Sequence, residues 1–194
     1  MTIFIVLSLS FQCWLDIVSY ASSIEVYTGW RFEKHRATPK RQLTPFIHEI
    51  MKKSKIDSRV LALSWIESRI RPKIHRGDRG KACGMFQIHA RYSYPYLRRK
   101  QGFNGWVENE QTKRINSECY KLESIRYSID TMERLLNKMD DRELHPCHHN
   151  SGFRGRCNTW YKQRLDYWMA YFTFANFICS EDVTEVIRRR IYEP

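Results

Sequence analysis

The chain has 194 residues and a formal net charge of +12, from 33 Lys and Arg against 21 Asp and Glu. This length allows one domain with a sizeable core and short appendages. The absence of Gly- or Ser-rich tracts argues against long disordered segments, and the sequence contains no internal repeat. The positive charge favours polyanionic partners: nucleic acid, anionic lipid headgroups or acidic wall polymers. Charge alone does not choose between them.

The first 15 residues, MTIFIVLSLSFQCWL, are uncharged and mostly apolar. The run is short for a membrane span of about 20 residues but resembles the apolar core of a secretory signal, with Ser19-Tyr20-Ala21 as a small-x-small cleavage site. Two features oppose cleavage, since no Lys or Arg precedes the run and Cys13 would be lost. We interpret residues 1–23 as an export signal or a retained membrane-proximal anchor; the alternative is an amphipathic first helix packed on the domain or on a partner.

Six cysteines are spread widely and form no framework typical of a small disulfide-rich domain; they are Cys13, Cys83, Cys119, Cys147, Cys157 and Cys179. Two interpretations fit: one or two disulfides in an exported protein, or buried thiols in a reducing compartment. The segment HPCHHNSGFRGRC holds five His and Cys residues, the side chains that bind zinc. Because its spacing matches no common zinc pattern, we predict a Cys147–Cys157 disulfide there, with no metal and no cofactor.

Residues 24–43 include the basic stretch RFEKHRATPKRQ and are predicted to be a linker. Helical periodicity starts at Thr44-Pro45, an N-cap followed by a proline at the first helical position. Asp57 is the predicted cap of the next helix. The apolar positions of these two helices recur at spacings of three and four; they are Phe46, Ile47, Ile50, Met51, Val60, Leu63 and Ile70.

Residues 71–116 are predicted to be mostly irregular, with short helical turns or a small hairpin. A long helix is expected after Ser117, then a loop from His145 to Gly155, then a helix over about 158–178 and a final short helix capped by Ser180. The two long helices carry apolar stripes; these contain Leu122, Ile125, Ile129, Met132 and Leu136, and Tyr161, Leu165, Trp168, Phe172 and Ala175. No run alternates at period two for long enough to predict a long strand, so the fold class is mainly α.

Glu67 follows Leu63 by four residues and Val60 by seven, so it projects from the helix face that carries core residues. A carboxyl group drawn out of water tends to keep its proton, because burial disfavours the charged form. Such an acid in an apolar wall can donate a proton to a glycosidic oxygen. The alternative is that Glu67 pairs with Arg69 or Arg71 at the helix end, or faces solvent.

Twenty residues after Glu67 the chain has the segment Gly84-Met85-Phe86-Gln87-Ile88. A glycine lets the backbone approach another chain or a ligand closely, and a glutamine amide offers one acceptor and two donors. These groups suit the acetamido and hydroxyl groups of a sugar.

Together the two segments resemble the lytic transglycosylase family of the lysozyme superfamily, which is close to the goose-type lysozymes. In that family a Glu-Ser pair at a helix end is followed by a Pro and then by Gly-(Leu/Met)-(Met/Phe)-Gln-Ile, as in Glu67-Ser68, Pro72 and Gly84–Ile88. Two weaker motifs, an aromatic before Asn-x-Gly and an Asn-x-x-Tyr opening the last large helix, correspond to His149-Asn150-Ser151-Gly152 and to Asn158 and Tyr161. The resemblance covers about residues 43–178.

The resemblance implies a lysozyme-like transglycosylase domain over residues 44–194, with Glu67 as the catalytic acid. It also implies a substrate site formed by Ser68, Met85, Phe86, Gln87, His149, Asn150 and Tyr161. In two places the chain departs from the family. His148-His149 stand where Ala-Tyr is usual, so a tyrosine near the acid is missing unless His149 replaces it, and the loop from Pro72 to Gly84 is longer and more charged. Such a loop is similar to those of transglycosylases associated with secretion or conjugation machines and phage particles.

The number of acids suggests the mechanism. A two-carboxylate hydrolase needs a second acid across the scissile bond, and Asp78, the nearby candidate, is flanked by Arg76 and Arg79 as in a solvated loop. The resemblance implies instead that Glu67 protonates the leaving oxygen, that the substrate's N-acetyl group stabilises the anomeric centre, and that the C6 hydroxyl closes a 1,6-anhydro ring.

The predicted function is therefore cleavage of the β-1,4 bond between N-acetylmuramic acid and N-acetylglucosamine in peptidoglycan, for local opening of the cell wall. The expected location is exported, periplasmic or virion-associated, with residues 1–20 as a membrane anchor or as a contact to virion or secretion-complex proteins. The alternatives are a goose-type lysozyme and a structural virion or membrane-complex protein with a degenerate transglycosylase domain. A nucleic-acid-binding module would rest on charge alone and is not expected.

Overall fold

The computed structural model of the chain describes residues 10–21, 40–53, 57–71, 82–89, 119–151 and 155–180. Of these residues 72% are helical, which confirms the mainly α prediction. Within the described segments, no helix combines the length and apolar character that crossing a bilayer requires. The chain divides into two compact units, one made of Met1–Ala62 with Gln163–Pro194 and the other of Leu63–Lys162.

The described helices have between 4 and 20 residues, and each of the two strands has two. The described elements are α1 (10–21), α2 (Lys40–Met51), α3 (Ser58–Ser68), β1 (Ala82–Cys83), β2 (Ile88–His89), α4 (Ile125–Asp140), α5 (His148–Ser151) and α6 (Thr159–Ile178). The predicted helix after Ser180 and the charged loop from Pro72 lie outside the described residues.

Helix α1 is part of the core of the first unit. Trp14 and Val18 are buried, Cys13 forms a disulfide with Cys179 across a Cα–Cα distance of 5.6 Å, and Ser10 Oγ donates to the Cys179 carbonyl at 2.7 Å. This arrangement agrees with the alternative of an amphipathic first helix packed on the domain. The other core side chains of this unit come from α2, α3 and α6; they include Leu43, Phe46, Ile47, Ile50, Leu61, Leu165, Trp168 and Phe172.

Helix α2 begins at Lys40, four residues before the start expected from Thr44-Pro45, so it includes the end of the predicted basic linker. Pro45 lies inside the helix, where its missing N–H removes one intrahelical bond. The burial of Leu43 explains the longer helix, because it extends the apolar face by one turn toward the N-terminus.

The start of α3 follows the sequence prediction. Asp57 Oδ1 accepts the Arg59 amide at 2.8 Å, the contact of an N-cap residue. All six residues of the segment 60–65 are buried, so this part of the helix is enclosed on every side rather than amphipathic.

A small antiparallel hairpin follows α3 among the described residues of the second unit, as one of the sequence alternatives predicted. Ala82 pairs with His89 and Cys83 with Ile88, and a disulfide joins Cys83 to Cys119. The turn begins at Gly84, whose φ is +73°, and a Cβ at this position would lie 2.9 Å from the Leu122 carbonyl oxygen. Both the conformation and the space at this turn therefore require glycine.

Helix α4 begins at Ile125, after the helical residues 119–121 and a break at 122–124; the start expected directly after Ser117 lies outside the described residues. Ser124 is its N-cap, and Ser128 Oγ donates to the Leu122 carbonyl at 2.8 Å, which holds a non-helical turn before the helix. Leu122 is nevertheless buried. The apolar spacing of three and four residues therefore continues across the break. Such spacing indicates which residues are buried and does not require one continuous helix.

Helix α6 matches its predicted range within one residue. Asn158 Oδ1 accepts the amides of Trp160 and Tyr161 at 3.0 and 3.2 Å, which caps the helix. The predicted stripe from Tyr161 to Ala175 is buried throughout.

Candidate active site

All the residues of the predicted site lie in the second unit, and Glu67 is in the last turn of α3. Its carboxyl group is half-buried, and Tyr161 Oη donates a hydrogen bond to Oε1 at 2.5 Å. In the described part of the chain the hydrogen-bond partner of this carboxyl is Tyr161 and not Arg69 or Arg71. Arg69 turns back along the helix, where its guanidinium donates to the Trp65 carbonyl and lies over the Trp65 ring.

Tyr161 is restrained by its burial and by the segment that precedes it. Its side chain is 8% exposed, its amide is capped by Asn158, and the preceding loop is closed by the Cys147–Cys157 disulfide. Because Tyr161 is buried at the capped start of a helix, its side chain has little conformational freedom. The hydroxyl group that donates to the Glu67 carboxyl is therefore held in a fixed position.

The backbone after Glu67 is strained. Arg69 and Ile70 both have φ of +58°, a left-handed conformation that costs non-glycine residues about 1–3 kcal/mol each. Ser68 braces this helix end, since its Oγ donates to the Ser64 carbonyl at 3.2 Å and accepts the Arg71 amide at 3.0 Å. The buried Ile70 side chain offsets part of the cost. Ser68 is thus placed to stabilise the turn that follows the acid.

The segment Gly84–Gln87 forms the turn of the hairpin. The Gly84 carbonyl accepts both the Gln87 amide at 3.1 Å and the Gln87 side-chain Nε2 at 2.9 Å, and Gln87 has a φ of +47°. Met85 and Phe86 are fully buried, so in this conformation neither residue is accessible to a ligand. The half-buried Gln87 is the side chain of this turn that remains accessible.

His149 and Asn150 lie next to each other on α5 in different surroundings. His149 is 7% exposed and its Nε2 lies 2.5 Å from the Phe86 carbonyl oxygen, whereas Asn150 is exposed. The structure thus brings Glu67 together with Tyr161 and Phe86 together with His149. Each pair joins two of the sequence motifs.

The loop from His145 to Cys157 gathers three groups that bind metals elsewhere. One ligand atom each of His145, Cys147 and Cys157 lies within 4.8 Å of the others, but the two sulfur atoms are bonded to each other. Metal binding by cysteine requires thiolates, so the disulfide predicted for this loop is the state that the structure contains.

Two contacts of the site were not predicted from the sequence. Tyr161 and His149 were both expected to be part of the substrate site, and the structure adds that Tyr161 donates to Glu67 and that His149 bonds the Phe86 carbonyl. One feature of the sequence did point to the Tyr161–Glu67 contact. Tyr161 lies on the predicted apolar stripe of α6, so its side chain is directed into the protein.

No protein-family model, no curated protein and no solved structure matches the chain. The fold and the site define a mainly α protein with a half-buried carboxyl group whose partner is a buried phenol. A positioned carboxyl group of this kind is suited to general acid–base chemistry.

Proposed function

We propose that the chain is a peptidoglycan lytic transglycosylase with a lysozyme-like domain, which cleaves the β-1,4 bond between N-acetylmuramic acid and N-acetylglucosamine. The observation that carries the proposal is the hydrogen bond from Tyr161 to the half-buried carboxyl of Glu67. It joins the two residues that the sequence motifs single out separately, the acid after the apolar helix and the tyrosine that opens α6.

The Tyr161 contact assigns a role to each oxygen of the acid. Because the phenol donates to Oε1, the proton for transfer is carried by Oε2, which donates it to the glycosidic oxygen as the bond to C1 breaks. The substrate's acetamido oxygen stabilises the positive charge at C1. The Glu67 carboxylate then takes the proton of the C6 hydroxyl, the C6 oxygen bonds to C1, and the 1,6-anhydro ring closes without water.

The other motif residues support the acid in different ways. The side-chain amide of the half-buried Gln87 orients the acetamido group, and the exposed Asn150 borders the cleft. The buried Ser68 braces the helix end beside the acid and acts through the backbone.

The setting that we propose is exported, periplasmic or virion-associated. Three disulfides are typical of proteins that fold in an oxidising compartment, and a net charge of +12 favours binding to the anionic wall. Because Cys13 is bonded to Cys179, we infer that α1 is retained in the active protein. Contacts to a membrane or to virion or secretion-complex proteins are proposed for the residues before it.

Product analysis tests the reaction type. Purified peptidoglycan digested with the protein should yield muropeptides with 1,6-anhydro ends, which are lighter than reducing ends by one water, about 18 Da. Mass spectrometry after borohydride treatment separates the outcomes, because only reducing ends take up hydrogen. Reducible ends would identify a goose-type hydrolase, and the absence of any cleavage would favour a structural protein with a degenerate domain.

Replacing Tyr161 with Phe should lower kcat by about 10- to 100-fold, because the ring is kept and only the hydrogen bond to the acid is lost. The free energy of unfolding should change by about 1 kcal/mol or less, since a half-buried carboxyl can bind water instead. The measurement is the rate of release of soluble fragments from labelled peptidoglycan, with Tyr167→Phe on the exposed face of α6 as the matched control. A parent-like rate for Tyr161→Phe would contradict the assigned role.

A further inference from the structure

We propose that His149 is a positioning residue, which holds the Phe86–Gln87 peptide through the Phe86 carbonyl and thereby sets the position of Gln87 toward the substrate. The inference deepens the proposed transglycosylase function and rests on it for its kinetic consequence. It gives His149 a role other than direct contact with the sugar, which the sequence motifs suggested.

The geometry defines what the imidazole does. A carbonyl oxygen only accepts hydrogen bonds, so the 2.5 Å contact from His149 Nε2 to the Phe86 oxygen requires a hydrogen on Nε2. With 7% of the residue exposed, the ring lies within the protein. Its hydrogen bond to Phe86 therefore supplies a partner to a buried carbonyl group, which water would supply at the surface.

The Phe86–Gln87 peptide unit is held at both of its polar ends. Its carbonyl oxygen accepts from His149, and its N–H donates to the Gly84 carbonyl at 3.1 Å. Two partners on opposite sides of one peptide plane prevent that plane from rotating. The next residue in the chain is Gln87, in a left-handed conformation with φ of +47° that needs such support.

His149 can support the turn because its own backbone is restrained. Its amide donates to the Pro146 carbonyl at 2.9 Å, and Cys147, two residues earlier in the chain, is bonded to Cys157. The exposed Asn150 follows directly. The hydrogen bond from His149 to Phe86 therefore links helix α5, which carries Asn150, to the turn that carries Gln87. These two segments are more than 60 residues apart in the chain.

The test compares His149→Gln, whose amide nitrogen can reach the place of Nε2, with His149→Leu, which fills similar space and has no donor. We expect His149→Leu to lower kcat by about 10- to 100-fold with a smaller change in KM, because the acetamido group is misplaced at the reacting centre. His149→Gln should recover activity to within about threefold of the parent. The neighbouring His148→Leu and His148→Gln variants serve as matched controls and should retain the parent rate.

A double-variant cycle separates positioning from a general loss of structure. If His149 acts through Gln87, adding His149→Leu to Gln87→Ala should change the rate by less than about threefold, although each single variant is slower. Additive losses, or a His149→Gln variant as slow as His149→Leu, would overturn the inference.

Hydrogen exchange gives a readout that does not depend on activity. The Gln87 amide should exchange faster in His149→Leu than in the parent or in His149→Gln, because the peptide plane is released. Unchanged protection of this amide in His149→Leu would overturn the inference even if the protein is a transglycosylase. Faster exchange in a protein that forms no anhydro ends would instead keep the positioning role and reject the proposed function.

Discussion

Replacing Glu67 with Gln is expected to stop the clearing of purified peptidoglycan, with a loss in rate of at least about 1,000-fold. The glutamine keeps the shape of the side chain and can still accept the hydrogen bond from Tyr161 through its amide oxygen. What it lacks is a proton that can be transferred to the leaving oxygen and later recovered, and general acid catalysis alone contributes about 100- to 10,000-fold. Turbidity loss and fragment release measure the effect.

The control for this variant is a neutral replacement of an acid elsewhere in the same unit. Glu123 is exposed beside the turn that precedes α4, so Glu123→Gln makes the same change in net charge away from the site. Both variants should unfold within a few degrees of the parent, since each is isosteric. If Glu67→Gln clears peptidoglycan at the rate of Glu123→Gln, Glu67 is not the catalytic acid.

Replacing Cys13 and Cys179 together with Ser should produce the largest loss of stability, up to about 5 kcal/mol. The disulfide closes a segment with a sequence separation of 166 residues, and the entropy that a cross-link removes from the unfolded chain increases with loop length. The same relation predicts about 3 kcal/mol for the Cys147–Cys157 bridge, whose separation is 10 residues. Denaturant unfolding of oxidised protein, fitted with a common slope, measures both.

Comparing the losses of stability from removing the two disulfides tests whether α1 belongs to the fold. If α1 is an integral part of the first unit, the Cys13–Cys179 pair must be the more costly one to remove, because Trp14 and Val18 leave the core when the helix detaches. A protein that unfolds at the parent midpoint without this bridge would show that residues 10–21 contribute nothing to the fold. An anchor or a removable leader would then be the better interpretation of that segment.

Local physical rules were sufficient for much of the helical structure. The caps at Asp57 and Asn158 satisfy the first amides of α3 and α6 from within the same few residues, and the apolar spacing of α6 predicts both its length and its buried face. These features depend on contacts between neighbours in the sequence. They could be predicted because no distant part of the chain has to be known.

The rules were less successful where burial competes with local preference. A proline after a capping threonine predicts a helix start, yet α2 begins at Lys40 because Leu43 is buried with the rest of the apolar face. The helix expected after Ser117 is interrupted at residues 122–124, where Ser124 and Ser128 stabilise a turn, and it resumes at Ile125. In both cases hydrogen bonds and core contacts outweighed a pattern of single residues.

The sequence by itself determined the mainly α fold and the position of Glu67 on a helix face that carries core residues. Only the tertiary structure decided which groups these residues meet, namely Tyr161 for Glu67 across 94 residues and His149 for Phe86 across 63. It also decided the pairings Cys13–Cys179 and Cys83–Cys119, whereas the Cys147–Cys157 pair was predicted from the sequence. The physical reason is that a helix or a turn is stabilised by nearby residues, whereas a contact between distant residues depends on how whole elements pack, which spacing along the chain does not encode.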